Sequence, residues 1–300
     1  MAAVAPRPGP AGAATAFQAA VARWGEENRR DLPWRRTRDP WAVLVSELML
    51  QQTQVARVAR RWRDFLDRFP SPPVCAAAPV GDVVRAWEGL GYNRRAVNLH
   101  GAASAVVERH GGLLPADLGA LLALPGVGPY TARAVLAFAF EVDVGLVETN
   151  TARVLARARG GRPLGPAEAQ AEADTLVPPG AGWAWNQAMV DLGAMVCTAR
   201  NPSCHHCPVN GACGWAAERR PPPDPARGTA GSSGRQAAFG GSDRQGRGRL
   251  VDALRRAPVP LADLAAAAGW PGDPVRARRV AGSLVADGLA LEAEGVLRLP

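Results

Sequence analysis

An all-α fold through residue 213, followed by a small winged-helix-like module, is the architecture this 300-residue sequence predicts. Apolar residues recur at helical spacing in one segment after another. No stretch before residue 213 alternates apolar and polar residues between hairpin turns. After a Pro- and Gly-rich break, three shorter helical patterns end in "LALEAEGVLRL", a hairpin pattern.

Taken in order, residues 1–13 are Ala/Pro-rich without a continuous apolar run and are expected to form a disordered lead. Residues 14–27 place Phe17, Ala20, Val21 and Trp24 on one helical face. Asp39-Pro40 is a helix start, with an acid at the N-cap and Pro at the first helical position. The helix it opens runs through Trp41, Leu44, Val45, Leu48, Met49 and Leu50. It is apolar on nearly every side, which predicts burial. Further helices are expected over 54–68, 81–89, 94–110, 116–124, 130–140, 151–159, 166–176 and 183–197. Residues 219–246 lack periodicity and are expected to be a linker. Residues 247–300 then form the small module, with helices over 250–256, 261–268 and 274–287 and a hairpin over 289–299. Such a module either binds DNA or only packs against its neighbour.

The formal net charge is +8, and every one of the 35 basic residues is Arg. With no Lys, lysine Schiff-base catalysis is excluded. Arg binds oxyanions bidentately, so nucleic acid is a candidate partner. The longest apolar stretches, 42–50 and 134–147, are broken by Ser46, Glu47, Glu141 and Asp143 and fall short of the roughly 20 residues a spanning helix needs. A cytoplasmic protein is expected, with its five Cys reduced or metal-bound.

Four motifs carry chemistry. Cys197, Cys204, Cys207 and Cys213 lie within seventeen residues and indicate a metal site. Zn²⁺ and an iron–sulfur cluster both accept four thiolates. His205 and His206 are read as loop residues facing solvent or phosphate, and Cys75 as an ordinary buried thiol. In "LPGVGPY", Gly126 and Gly128 allow a tight turn ahead of a helix opened by Pro129. The N–H groups of that helix start suit a DNA phosphate, although a plain helical corner has the same sequence. Glu47 lies in "AVLVSELMLQQTQV". Either it shares a polar stripe with Gln51 and Gln54, or it is buried and held protonated as a general acid. Glu148 precedes a helix with Thr149 or Asn150 as possible caps, which also fits an acid favoured by the helix dipole.

Together, "LPWR", "SELMLQQTQV", "GLGYNRRAVNLH", "LPGVGPYTA", "NQAMVDLGAMVCT" and the cysteine loop resemble, in this order, segments of the A/G-specific adenine DNA glycosylases, a family of the helix-hairpin-helix superfamily. The resemblance implies two helical subdomains over 14–218 and a 4Fe-4S cluster on Cys197, Cys204, Cys207 and Cys213. It also implies double-stranded DNA carrying A:8-oxoguanine or A:G mispairs as the partner, and a monomer is expected. Glu47 matches the general acid that protonates adenine at N7. Glu148 stands where the family has an Asp that stabilises the sugar cation, and Tyr130 and Asn150 match residues supporting these carboxylates. Gln52 and Tyr92 match residues that wedge into the base stack, with Gln51 and Thr53 beside them. Arg35 and Gln187 match positions near the extruded adenine. Related endonuclease III proteins carry a strand-cleaving Lys where this chain has Tyr130, so base excision without strand cleavage is implied. About 85 residues follow Cys213, too few for the Nudix-like domain with which the family inspects 8-oxoguanine. That domain is expected to be absent, leaving Gln52, Thr53 or the C-terminal module to supply part of its role.

Overall fold

The structure, a computed structural model, describes residues 10–229 and 238–300, with side chains from Thr15 onward. Its helices in chain order are α1 (Pro10–Asn28), α2 (Pro40–Leu50), α3 (Val55–Arg68), α4 (Pro72–Ala77), α5 (Val80–Ala86), α6 (Arg94–His110), α7 (Leu118–Leu122) and α8 (Pro129–Ala139). They continue with α9 (Thr149–Leu155), α10 (Pro166–Thr175), α11 (Gly182–Met195) and α12 (Gly214–Ala217). The last part holds α13 (Asp243–Arg256), β1 (Val259–Pro260), α14 (Leu264–Ala268), α15 (Pro274–Ala286), β2 (Leu291–Ala293) and β3 (Val296–Arg298). Among the described residues no strand precedes Val259. None of the described helices is long and apolar enough to cross a membrane.

The chain divides into two compact units. One joins the described residues up to Arg35 to those of 133–234. Its core gathers Phe17, Val21, Leu155, Trp185, Met189 and Leu192. Phe17 meets Trp185 edge-on at 6.1 Å. Gly25 lets α1 and α11 approach, since a Cβ there would stand 2.4 Å from that of Ala188.

The other unit joins Arg36–Ala132 to the described residues of 235–300. Asp39 caps α2, accepting from Trp41 N (3.3 Å) and Ala42 N (3.1 Å). Every residue of α2 from Trp41 to Met49 is buried. Helix α3 packs Val58, Trp62 and Phe65 inward, and the Trp62 indole donates to the Ala42 carbonyl (2.9 Å). In the C-terminal part, α13, α14 and α15 pack on an antiparallel sheet of order β1-β3-β2, with Val259 opposite Leu297 and Glu292 opposite the same residue. Strand β1 escaped the sequence reading because two residues, one of them Pro, carry no periodicity.

Three local expectations differ from the structure. Of the lead expected at 1–13, residues 1–9 lie outside the described residues and 10–13 belong to the backbone of α1. Helix α13 starts at Asp243, inside the stretch read as linker, with Ser242 as its cap. Gly246 and Gly248 lower its helix propensity, but Gly246 has a packing reason: a Cβ there would strike the Trp270 ring at 2.0 Å. The helix expected over 151–159 divides into α9 and a π-helical turn, Ala156–Gly160.

Candidate active site and thiol loop

Glu47 is 5% exposed. The polar stripe that would have explained it does not exist, because α2 is buried all round and ends before Gln51. Gln51 donates from Nε2 to Thr131 Oγ1 at 3.4 Å, which ties the end of α2 to α8. Tyr130 is half-buried in the first turn of α8. In the preceding turn Gly126 has φ 76°, and a Cβ on it would stand 2.7 Å from Asn98 Cβ. Gly128 has neither positive φ nor a near neighbour, so one glycine of the pair carries the steric requirement.

Two exposed loop tips lie one after α2 and one before α6. Gln52 has φ 55° and Tyr92 φ 46°, conformations that cost a side-chain-bearing residue about 1–3 kcal/mol and persist only where surroundings enforce them. Arg95 enforces both. Its guanidinium, 7% exposed, donates to the carbonyls of Leu48 (2.7 Å), Met49 (2.8 Å), Gln51 (2.6 Å) and Gly91 (2.9 Å), and to Thr53 Oγ1 (3.0 Å). It thereby satisfies the last carbonyls of α2 and joins the two tips. Burial lowers its pKa to about 10, so it stays charged at neutral pH.

Glu148 is itself the cap of α9, in place of Thr149 or Asn150. Its Oε1 accepts from Thr151 N (3.0 Å), and the Thr151 hydroxyl accepts from Glu148 N (2.9 Å). Asn150 Nδ2 donates to Glu148 Oε2 (3.2 Å). Burial pushes this carboxyl above the ordinary range, against the opposing pull of the Asn150 and Thr151 N–H groups and Arg153. Arg153 links the cap to the thiol loop: it donates to Asn150 Oδ1 (2.7 Å), the Gly193 carbonyl (2.6 Å) and the Cys197 carbonyl (2.6 Å).

Cys197, Cys204, Cys207 and Cys213 line one cavity, closed by apolar neighbours including Val154, Leu192 and Val209. Among the described residues no three Cys, His, Asp or Glu side chains converge closely enough to hold a single metal ion. Four thiols around a shared apolar space fit a multi-atom cluster rather than one zinc ion. His205 and His206 are exposed. The π-helical turn carries Arg157, which donates to Cys197 Sγ (3.4 Å) and the Thr198 carbonyl (2.8 Å), pairs with Asp224 (2.6 Å) and stacks over Trp215. Cys75 is fully buried, and burial raises its thiol pKa to about 12, so it is inert.

Arg35 is buried against Asp191, to which it donates from Nη1 (2.7 Å) and Nη2 (2.9 Å). Gln187 is buried on α11. Sequence reasoning missed Arg95, Arg153 and Asp191. Asp191 had a readable signal, a carboxylate inside the apolar run "NQAMVDLGAM", the same signal that singled out Glu47. Arg95 and Arg153 had none, since their partners are mainly backbone carbonyls.

A model described as HhH-GPD superfamily base excision DNA repair protein matches residues 45–179. A second, the iron-sulfur binding domain of endonuclease III, matches 197–213. An adenine DNA glycosylase of Mycobacterium tuberculosis (strain CDC 1551 / Oshkosh) is 43% identical over 284 residues, covering 92% of this chain and 91% of that protein. The Homo sapiens adenine DNA glycosylase is 41% identical over 213 residues, 66% of this chain and 39% of that protein. The solved structure of a thermostable thymine-DNA glycosylase superposes with TM-score 0.66 at 28% identity, covering 70% of this chain and all of that one. Fold, buried carboxylate and thiol loop thus define a helix-hairpin-helix DNA glycosylase of base excision repair, with DNA as its partner and a 4Fe-4S cluster as its cofactor. Within that class, the chain belongs to the adenine DNA glycosylase family.

The cluster has a direct test. Purified protein is expected to be brown, with about four irons and four sulfides per chain. Cys204→Ser is expected to lose the colour and to melt at lower temperature. One zinc per chain and no visible absorption would contradict the assignment.

Proposed function

We propose that the chain removes adenine mispaired with 8-oxoguanine or guanine in double-stranded DNA, by acid-assisted hydrolysis of the N-glycosidic bond. Glu47 carries this reading: a carboxyl kept inside a fully buried helix is costly unless its chemistry is used. The target adenine leaves the stack before it reacts. Glu47 delivers a proton to N7, and the C1′–N9 bonding pair departs with the purine. A water then adds to C1′ and gives up a proton, which restores Glu47. Glu148 faces the developing sugar cation as a fixed negative charge, with Asn150 and Tyr130 supporting the two carboxylates. Gln52 and Tyr92 fill the gap in the stack, steadied by Gln51, Thr53 and Arg95. The hairpin at Gly126 and Gly128 holds a DNA phosphate through backbone N–H groups.

Gln187 lines the adenine site, while Arg35 acts at a distance by holding Asp191. When bound, the iron–sulfur cluster supplies a cross-link among four thiolates, which Arg153 and Arg157 connect to the Glu148 cap. With no Lys in the chain, no lysine Schiff base forms and the DNA strand is left uncut. The protein works as a monomer on nucleoid DNA in the cytoplasm.

A panel of duplexes tests the reading. Treatment followed by alkali is expected to break the strand at A opposite 8-oxoguanine or G. Breakage at T or U opposite G instead would favour the thymine/uracil chemistry suggested by the similar thymine-DNA glycosylase. Glu148→Gln is expected to slow excision by ~10²-fold or more. Because its carboxyl titrates above the usual range, wild-type excision falls on acidification at a pH above 4.5, and Glu148→Gln lacks this acid limb. Equal rates for wild type, Glu148→Asp and Glu148→Gln would remove Glu148 from the reaction.

A further inference from the structure

Every N–H group of one guanidinium has an acceptor beside the thiol loop. Arg157, 2% exposed, donates from Nη1 to Cys197 Sγ (3.4 Å) and to the Thr198 carbonyl (2.8 Å). It donates from Nη2 to the Ala199 carbonyl (3.1 Å) and Asp224 Oδ2 (2.6 Å), and from Nε to Asp224 Oδ1 (3.0 Å). Lys, whose donors share one nitrogen, could not make this set. The π-helical turn Ala156–Gly160 places Arg157 there, and such turns are frequent at functional sites. Arg157 and Trp215 both line the cavity of the four thiols, with the guanidinium 5.1 Å from the ring centroid.

Asp224 belongs to a stretch after the fourth cysteine that reads in the sequence as linker. Residues 219–229 are instead fastened within the same compact unit as the thiol loop. At the near end, the Trp215 indole donates to the Pro221 carbonyl (2.9 Å), and Arg220 N donates to the Trp215 carbonyl (2.8 Å). Arg219 and Arg220 turn the chain there with φ 60° and 59°, conformations that persist only where surroundings enforce them. In the middle, Asp224 is positioned by its own turn: Oδ1 accepts from Ala226 N (3.0 Å) and its carbonyl from Arg227 N (2.9 Å). At the far end, the buried Thr229 hydroxyl donates to the Pro225 carbonyl (2.7 Å) and accepts from Leu164 N (3.2 Å). A stretch that served only as a spacer would need none of these contacts.

We propose that residues 219–229 are a strap that seals the iron–sulfur cluster from solvent, with Arg157 and Asp224 as its latch. The two are positioning residues that set how firmly the cluster is held and what its reduction potential is. Partners of a metal site's ligands fix those ligands, and the shell around the site governs the access of water. Hydrogen bonds to the sulfurs and solvent exposure in turn set a cluster's potential. Through one guanidinium the strap reaches the ligand Cys197, so opening it loosens a thiolate and admits water in the same event. The inference concerns the cofactor alone and is independent of which base is excised.

The test uses the purified full-length holoprotein, held well below its melting temperature. Iron release to a ferrous chelator is followed by the loss of visible absorbance, and the potential of the cluster's one-electron couple is read at an electrode. Asp224→Asn is expected to release iron ~10-fold or more faster than wild type, and Asp224→Glu to return release toward the wild-type rate. Asp224→Asn is also expected to raise the reduction potential, since losing a negative charge and admitting water both favour the reduced, more negative cluster. Thr229→Val opens the far end without changing charge, and is expected to speed release with a smaller rise in potential. Wild-type release and potential in Asp224→Asn would overturn the proposal. So would a lower melting temperature with both readouts unchanged, since that marks Asp224 as a structural contact only. Neither readout requires DNA or excision, so the strap and the adenine reading fail separately.

Discussion

Glu47→Gln is expected to lower the single-turnover excision rate by about 10²–10⁴-fold, the usual worth of a positioned general acid, while duplex affinity changes little. Gln matches Glu in shape and retains hydrogen-bonding capacity, so the substitution removes the transferable proton and little else. The side chain lies between Ser46 and Leu48 in a helix without a solvent-facing stripe. Gln places no ionisable group inside that buried helix, so the substitution adds no charge burial. The variant is therefore expected to melt at or above the wild-type temperature. Kinetics and melting together give the answer. Lost excision with retained binding and melting assigns the loss to chemistry. Retained excision removes Glu47 from the mechanism, and a large fall in melting temperature shows that the carboxyl was structural.

The parts of the site that were legible in the sequence are those whose reason is local. Four cysteines within seventeen residues announce a shared ligand, and they do line one cavity. Gly126 marks a turn because its positive φ is a property of its own backbone. Glu47 stands out against its apolar neighbours. What stayed hidden depends on contacts distant in the chain. Arg95 is one arginine among 35, and only the fold turns it toward the carbonyls at the end of α2. Glu148 was read as an acid before a helix, but its acceptance from Thr151 N three residues on, which makes it the cap, depends on side-chain conformation. Gly246 resembled linker until Trp270 was seen to occupy the space of its missing Cβ. Periodicity reports a buried face; it does not report which arginine crosses to which carbonyl.

Asp191→Asn is expected to destabilise the protein by about 3–5 kcal/mol, the cost of leaving a buried ion without its partner. Asp191 is fully buried and accepts from Arg35 through both oxygens, from Arg30 Nε (2.6 Å) and from Arg30 N (3.0 Å). It fastens the segment after α1 to the middle of α11, the helix that leads into Cys197 and carries Gln187. An Asn there leaves the buried Arg35 charge uncompensated. For a protein of this size the melting temperature should fall by roughly 5–8 °C. Burial alone would raise the Asp191 pKa, but the Arg35 and Arg30 contacts hold it below the usual value of 3.8. A carboxylate depressed in the folded state stabilises fully above its unfolded pKa and loses that contribution as pH falls through the folded one. The stability gap between wild type and Asp191→Asn should thus be constant from neutral pH to about pH 5 and shrink below 3.8. A gap that persists undiminished at low pH would show that the carboxylate's charge is not what holds α11. The variant also separates two roles for Arg35. If Arg35 acts through Asp191, Asp191→Asn and Arg35→Gln lower melting together, and excision falls only as the folded fraction falls. If Arg35 contacts the extruded base, Arg35→Gln alone slows excision at temperatures where both variants are folded.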